Sequence, residues 1–238
     1  MHRFFVKDLG PETVMLHGDD VKHIARVLRL KAGDEIALCD GCGTECTAVI
    51  ERIEKDVVAC RRFEVTQSAS EPRTKVTLFQ GLPKTGKMET IVQKCVELGV
   101  DRIVPMLTER CVVQPKESFS NRIERWQRVG EEAAKQSRRG TIPTVSELQR
   151  IDVLDFSAFD LVLVAFENER TTSLKDALKN FSGVRVALLI GPEGGFCDRE
   201  IELLSKRGAR AVSLGPRILR TETAGMAMLA QVLYEVEP

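Results

Sequence analysis

The chain has 238 residues, with 35 Lys and Arg against 35 Asp and Glu and a formal net charge of zero. That length holds one large domain, or a small one and a medium one, with ample material for a core. The charge balance excludes a generally polybasic nucleic-acid binder, so any RNA site must be a local patch of Lys and Arg. No apolar run reaches transmembrane length, and Met1-His2-Arg3-Phe4-Phe5 passes into charged residues without a signal pattern, which predicts a cytoplasmic protein with no membrane partner. Seven cysteines scattered over both halves suit reduced thiols better than a disulfide framework.

In chain order, Arg3 to Val6 reads as a first strand, and Asp19-Asp20 caps a short helix over 21–28. Short β-rich runs follow at 35–39, 44–53 and 57–65, with turn residues between them. Cys39-Asp40-Gly41-Cys42, with Cys46 beyond, could suggest zinc. No second ligand pair follows, and Asp40-Gly41 is itself a hairpin signal, so no metal is expected. Gln67-Ser68-Ala69-Ser70-Glu71-Pro72 is polar and aperiodic and predicts a boundary between a β-rich domain at 1–70 and a second domain at 73–238.

From Lys75 strands and helices alternate: strand 76–80, helix 88–98, strand 102–106, helix 120–137, strand 161–166, helix 173–180, strand 184–190, a helix opening near Asp198, strand 211–214 and helix 224–236. Alternation of this kind predicts an α/β domain with a parallel sheet. Gly81-Leu82-Pro83-Lys84-Thr85-Gly86-Lys87-Met88 imitates a phosphate-binding P-loop. The last position fails, because Met88 has no hydroxyl for Mg²⁺. Arg122, Arg125 and Arg128, with Lys135, Arg138 and Arg139, make a basic helix face that serves either solvation or RNA. Trp126 reads as packing.

Two strand-to-helix hinges carry the chemistry. After the apolar run 184–190 comes Gly191-Pro192-Glu193-Gly194-Gly195-Phe196, whose glycines let a ligand approach the backbone. After the strand at 211–214 comes Gly215-Pro216-Arg217-Ile218-Leu219-Arg220-Thr221-Glu222-Thr223-Ala224. In an open α/β sheet ligands bind beyond the carboxyl ends of the strands, so two such loops on neighbouring strands would form one pocket. No Gly-x-Gly-x-x-Gly follows the first strand of this domain, which counts against a dinucleotide oxidoreductase.

Together the two loops resemble the cofactor loops of the SPOUT methyltransferases, and Leu214 to Ala224 resembles the signature of the bacterial 16S ribosomal RNA uracil-N3 methyltransferases. Arg3-Phe4-Phe5, His23 to Arg29, Lys94 to Val100 and Glu132 to Arg139 are similar to further stretches of that family, so the resemblance spans the chain. It implies a C-terminal parallel-sheet SPOUT domain with a deep trefoil knot, a PUA-like N-terminal β-barrel, a homodimer, S-adenosyl-L-methionine as cofactor, and the small ribosomal subunit or its 16S RNA as partner. It places the cofactor against Phe166, Glu167, Leu189, Ile190, Gly191, Pro192, Gly194, Gly195, Leu214, Gly215, Ile218, Leu219, Arg220, Thr223 and Ala224. A side chain at Gly194 is expected to abolish its binding. Uracil N3 must lose a proton before it can attack, so a proton acceptor and a cation are needed. Arg220 is the expected cation, with Glu222 or Glu193 as acceptor. Arg3, His23, Arg26, Arg29, Lys84, Lys87, Arg138 and Arg139 are the expected RNA contacts. The rival readings are a SPOUT enzyme with another target, and a non-catalytic RNA-binding factor.

Overall fold

The computed structural model describes residues 1–84, 86–113 and 119–237. Thr85 of the P-loop-like stretch, residues 114–118, and Pro238, the last residue of the expected second domain, lie outside the described residues. Contacts divide the chain into two compact units. One comprises Met1–Glu71 with Ala134–Ile142, and the other Pro72–Ala133 with Pro143–Pro238.

The first unit is built on a five-stranded sheet in the order β1-β3-β4-β5-β2, where β1 is His2–Phe5, β2 Thr13–His17, β3 Glu35–Cys39, β4 Thr44–Ile53 and β5 Val57–Gln67. β1 runs parallel to β3 and the other pairs are antiparallel. Strand β2 has no counterpart among the sequence-predicted elements, yet Val14 and Leu16 are buried and alternate with exposed neighbours, the period-2 pattern of a half-buried strand. The predicted helix is α1, Asp19–Lys22, continued by a wider π-type turn over His23–Leu28 that ends on Arg29 in left-handed conformation. The β3–β4 turn is the expected hairpin. Gly41 has φ 75°, and Asp40 accepts hydrogen bonds from the Cys42 and Thr44 amides. Among the described residues no cluster of metal-ligating side chains occurs.

Two of the expected RNA contacts face carboxylates here, Arg139 buried and Arg3 half-buried. The Arg139 side chain is 4% exposed and donates to Glu71 Oε2 at 2.7 Å, while Glu71 Oε1 accepts from the Gly140 and Thr141 amides. Arg3 pairs with Glu45 and donates to the Arg139 carbonyl. Both guanidiniums are therefore spent on internal ion pairs, because a buried charge is tolerated only when paired and hydrogen-bonded. The sequence placed them on a phosphate-facing surface; in the folded chain each guanidinium is paired with a carboxylate of its own unit.

The second unit is an α/β layer structure. Its parallel strands are β6 Lys75–Gly81, β7 Arg102–Leu107, β8 Thr144–Val145, β10 Leu161–Ala165, β11 Arg185–Ile190 and β12 Arg210–Val212, in the order β12-β10-β11-β6-β7-β8, with β9 Gln149–Arg150 also on β7. Helices α2 Lys87–Glu97, α3 Phe119–Gln136, α4 Leu174–Leu178, α5 Asp198–Lys206 and α6 Thr221–Val236 alternate with them. β6 and β11 are buried along nearly their whole length, as central parallel strands covered on both faces must be. Ser173 caps α4 through a capping box, and Gly99 with φ 103° ends the turn after α2. Asp198, expected as the cap of α5, lies one residue inside it, and Cys197 occupies the cap position. Trp126 is 5% exposed and meets Phe119 edge to face, which is packing as expected. No helix among the described residues is long and apolar enough to cross a membrane.

The Glu71–Arg139 pair gives a pH prediction for the first unit. Burial raises the Glu71 carboxyl, but Arg139 and the two amides outweigh it and hold the group below its ordinary 4.5. A depressed folded value stabilises above the unfolded pKa and is lost as pH falls through the folded one. Unfolding monitored against pH should therefore show stability level above pH 5 and declining below about 4.5. Glu71→Gln should cost about 3–5 kcal/mol at neutral pH, since it leaves the buried Arg139 uncompensated.

Candidate active site

Four strand ends meet at one edge of the parallel sheet, and their loops surround a cavity of about 570 Å³. The loop after β11 contributes Gly191 to Gly195, the loop after β12 contributes Ser213 to Arg220, the loop after β10 contributes Phe166, Glu167 and Arg170, and α2 contributes Lys87. The two loops picked out by sequence are not on neighbouring strands. β10 lies between β11 and β12, so its own loop forms a third wall. That wall is ordered locally: Glu169 accepts from the Thr171 hydroxyl and from the Thr172 and Thr171 amides, which takes its carboxyl down to about 2.

Most of the expected cofactor residues line the cavity: Phe166, Glu167, Ile190, Gly191, Pro192, Gly194, Gly195, Leu214, Gly215, Ile218, Leu219, Arg220 and Ala224. Leu189 and Thr223 do not. Leu189 alternates into the core and is fully buried there, and Thr223 points outward from the first turn of α6. α6 also starts earlier than its apolar pattern suggests, at Thr221.

The loops are held by a buried relay. Gln80, fully buried near the end of β6, donates through Nε2 to Thr221 Oγ1 at 2.9 Å, and Thr221 Oγ1 donates to the Gly191 carbonyl at 2.6 Å. A hydroxyl has one proton, so donation to Gly191 makes Thr221 an acceptor from Gln80 and fixes the amide orientation. Neither residue stood out in the sequence. A polar residue late in a buried strand was the available signal.

The glycines matter unequally. A Cβ at Gly195, whose φ is 66°, would lie 2.5 Å from Glu167 Oε1, and one at Gly191 would lie 3.0 Å from the Gly195 backbone. Gly81 is as tight: its Cβ would be 2.5 Å from the Pro192 nitrogen, so β6 passes the first loop only because Gly81 has no side chain. At Gly194 a Cβ would lie 3.0 Å from the Arg110 Cβ, a side chain and not backbone.

Charged groups gather at one side. Lys87 Nζ lies 3.0 Å from Glu193 Oε1 and 3.1 Å from Glu222 Oε2. Burial pushes the Glu193 carboxyl up, but Lys87, its own backbone N–H and the Lys84 amide outweigh that and hold it below its ordinary value. Glu222 is likewise held down, burial being outweighed by its backbone N–H, Lys87 and the Arg220 charge. Lys87 is raised by Glu193 and then Glu222. Of the three expected catalytic residues, Arg220 and Glu193 line the cavity, whereas Glu222 is not among its lining residues and meets Lys87 through a buried Oε2 that has no aligned hydrogen bond. His23, Arg26, Arg29, Lys84 and Arg138 are exposed.

With this arrangement established, comparison with known proteins is decisive. An RNA methyltransferase domain matches residues 70–233, and an RNA methyltransferase PUA domain matches residues 16–61. The chain belongs to the RNA methyltransferase family. It is 33% identical to ribosomal RNA small subunit methyltransferase E of Bacillus subtilis, over 100% of this chain and 98% of that one. It is 35% identical to the Synechocystis protein of the same name, over 92% and 72% respectively. A crystal structure of the Neisseria gonorrhoeae ribosomal RNA small subunit methyltransferase E bound to S-adenosyl methionine superposes with a TM-score of 0.87 at 31% identity, covering 99% of this chain and 98% of that one. Within such a family the cavity at the strand ends is the natural place for chemistry.

The relay and the tight glycine make separate predictions. Thr221→Val should lower stability by about 1–3 kcal/mol by stranding a buried carbonyl and a buried amide, whereas Thr221→Ser, which keeps the hydroxyl, should lose much less. In thermal unfolding, Gly81→Ala should be destabilised more than Gly194→Ala, since its new Cβ meets backbone that cannot swing aside.

Proposed function

We propose that the chain transfers a methyl group from S-adenosylmethionine to N3 of a specific uridine in 16S ribosomal RNA, on the assembled small subunit. The observation that carries the cofactor assignment is the cavity itself. Its volume suits a ligand of this size. Its walls are two glycine-bearing loops in which a Cβ at Gly191 or Gly195 would fill space or strain the chain. Backbone groups of Gly191 to Gly195 and of Leu214 to Leu219 would hold the adenine and methionine parts, with Phe166 and Glu167 closing the third side. Bound there, the cofactor supplies an electrophilic methyl on a sulfonium, whose departure as a neutral thioether needs no activation.

The residues of the chain then have to manage the nucleophile. Glu193 lines the cavity and is ionised throughout neutral pH, so it can take the N3 proton. Held below its usual range, it is also a weak base, and proton loss must be helped by stabilising the negative charge that spreads onto O2 and O4. Arg220, on the cavity wall, supplies one such cation. Glu222 acts from behind Lys87. N3 lies on the Watson–Crick edge, so the target base must be unpaired or extruded.

The exposed His23, Arg26 and Arg29 on the turn after α1, together with Arg138 and Lys84, serve as phosphate contacts. At zero net charge these give limited sequence-independent affinity, which favours an assembled particle that adds shape contacts over free RNA. The knotted C-terminal region, the homodimer and the division into a PUA-like domain at 1–70 and a SPOUT domain at 73–238 belong to the same reading.

Incubation with labelled S-adenosylmethionine and small subunits lacking the modification, followed by nucleoside analysis, should give label in 3-methyluridine, with free 16S RNA a poorer substrate. Label in another nucleoside would move the target while keeping the cofactor. Binding of the cofactor with no transfer to any ribosomal RNA would favour a non-catalytic factor.

A further inference from the structure

Lys87 was expected as an RNA-facing cation, and its surroundings argue against a phosphate as what it meets. It is the first residue of α2, yet its ammonium lies between two carboxylates brought in from different elements, Glu193 after β11 and Glu222 in the first turn of α6. A cation flanked by two carboxylates leaves the trio net negative, which repels a phosphate. An ammonium has three donors. Its nitrogen lies within ion-pair distance of both carboxylates, and Lys87 shares the cavity wall with Glu193 and Arg220.

From this geometry we infer that Lys87 touches the target base: its ammonium sits beside Glu193 on the cavity wall and, with Arg220, meets the negative charge that builds on uracil O2 and O4 as Glu193 takes the N3 proton. The inference rests on the uracil reading above. Uracil offers O2, N3–H and O4, so an ammonium beside a carboxylate can pair with one carbonyl and with N3–H together. Cytosine presents a bare N3 to the carboxylate and an amino group to a donor, leaving charges unpaired in a confined site. In the reaction the N3 proton passes to the Glu193 carboxylate and the N3 lone pair forms the bond to the methyl carbon. The electron pair of the broken S–C bond stays on sulfur, and the charge drawn onto O2 and O4 is met by Lys87 and Arg220.

The other charges facing the group agree with a donor role. Glu193 and then Glu222 raise the Lys87 ammonium, so it remains protonated and is not a base. The Lys84 amide donates to Glu193 at 3.1 Å and fixes the carboxylate beside Lys87. Glu222 Oε2, buried and without an aligned hydrogen bond, backs the ammonium from the protein side, and Arg220 adds positive charge at the same helix start. Glu167 and Arg170 line the same cavity from the loop after β10.

The test compares wild type, Lys87→Met, Lys87→Arg and Glu222→Gln on small subunits lacking the modification, measuring kcat, KM for each substrate, the pH–rate profile and calorimetric affinity for S-adenosylmethionine. Lys87→Met should lose about a hundredfold or more in kcat, the scale of removing one donor from a developing anion, while cofactor affinity stays within about threefold. Its acid limb should move to higher pH, because Glu193 loses the neighbour that keeps it ionised. Lys87→Arg should retain activity to within about tenfold and Glu222→Gln should fall between the two. Should Lys87→Met not fold, Glu222→Gln decides: with the competing carboxylate gone, Lys87 should hold Glu193 lower still and move the acid limb to lower pH, and an unmoved limb would overturn the inference. Unchanged kcat and pH profile in the Lys87 variants would overturn the inference, as would a loss confined to the RNA KM that disappears at low salt, the mark of a phosphate contact. A wild-type product other than 3-methyluridine would retire the uracil reading itself, and Lys87's role with it; 3-methyluridine from an undiminished Lys87→Met would retire Lys87 alone.

Discussion

The pocket depends on one part-buried hydrogen bond, from the Thr221 hydroxyl to the Gly191 carbonyl. It ties the loop after β11 to the start of α6, two segments thirty residues apart in sequence that face each other across the cavity. Gln80 anchors that bond to the central strand of the sheet, and in doing so leaves its own Oε1 buried without a partner. A buried unpaired carbonyl is costly, about 1–3 kcal/mol, and its retention fits a place where loop geometry takes precedence over local satisfaction. The same strand supplies Gly81, whose missing side chain lets Pro192 pass against it. Two successive residues of β6 thus set the position of the first loop, one by attraction and one by the absence of atoms.

On that scaffold the charges sort themselves by depth. Lys87, Glu193 and Glu222 come from three separate elements and meet within about one ion-pair distance, so each constrains the others. Both carboxylates are held below their ordinary range by the neighbouring cations and backbone N–H groups, so under the proposed chemistry either would be a weak proton acceptor that needs anion stabilisation beside it. In the first unit the same logic serves structure alone. Arg139 and Glu71 satisfy each other in a buried pair that has no solvent-facing role.

The sequence made the architecture of the second unit readable because parallel strands and amphipathic helices impose different periods, and the strand-to-helix hinges carry glycines where the backbone must be approached. β2 escaped notice because a five-residue alternation beside Pro11 is a weak local signal. The order of the strands was not legible either: β10 sits between β11 and β12 only through pairings between residues far apart in sequence, and its loop therefore entered the pocket as an unassigned wall. Arg3 and Arg139 looked like phosphate ligands because sequence shows the charge of an arginine and not its partner; Glu45 and Glu71 become neighbours only in the folded chain. The partners of Lys87, Glu193 and Glu222, likewise become its neighbours only in the folded chain. Gly194 and Gly195 look identical in sequence, while φ and the nearest atoms separate them.

The most direct measurement is a calorimetric titration of the wild-type chain and of Gly195→Val with S-adenosylmethionine, alongside their unfolding temperatures. If the cavity between the two loops is the cofactor site, the wild type binds one cofactor per site and Gly195→Val does not, because the new side chain meets Glu167 and the left-handed backbone at 195 disfavours it, while unfolding stays cooperative. Equal binding by a folded Gly195→Val would contradict the assignment of this cavity and of every role derived from it.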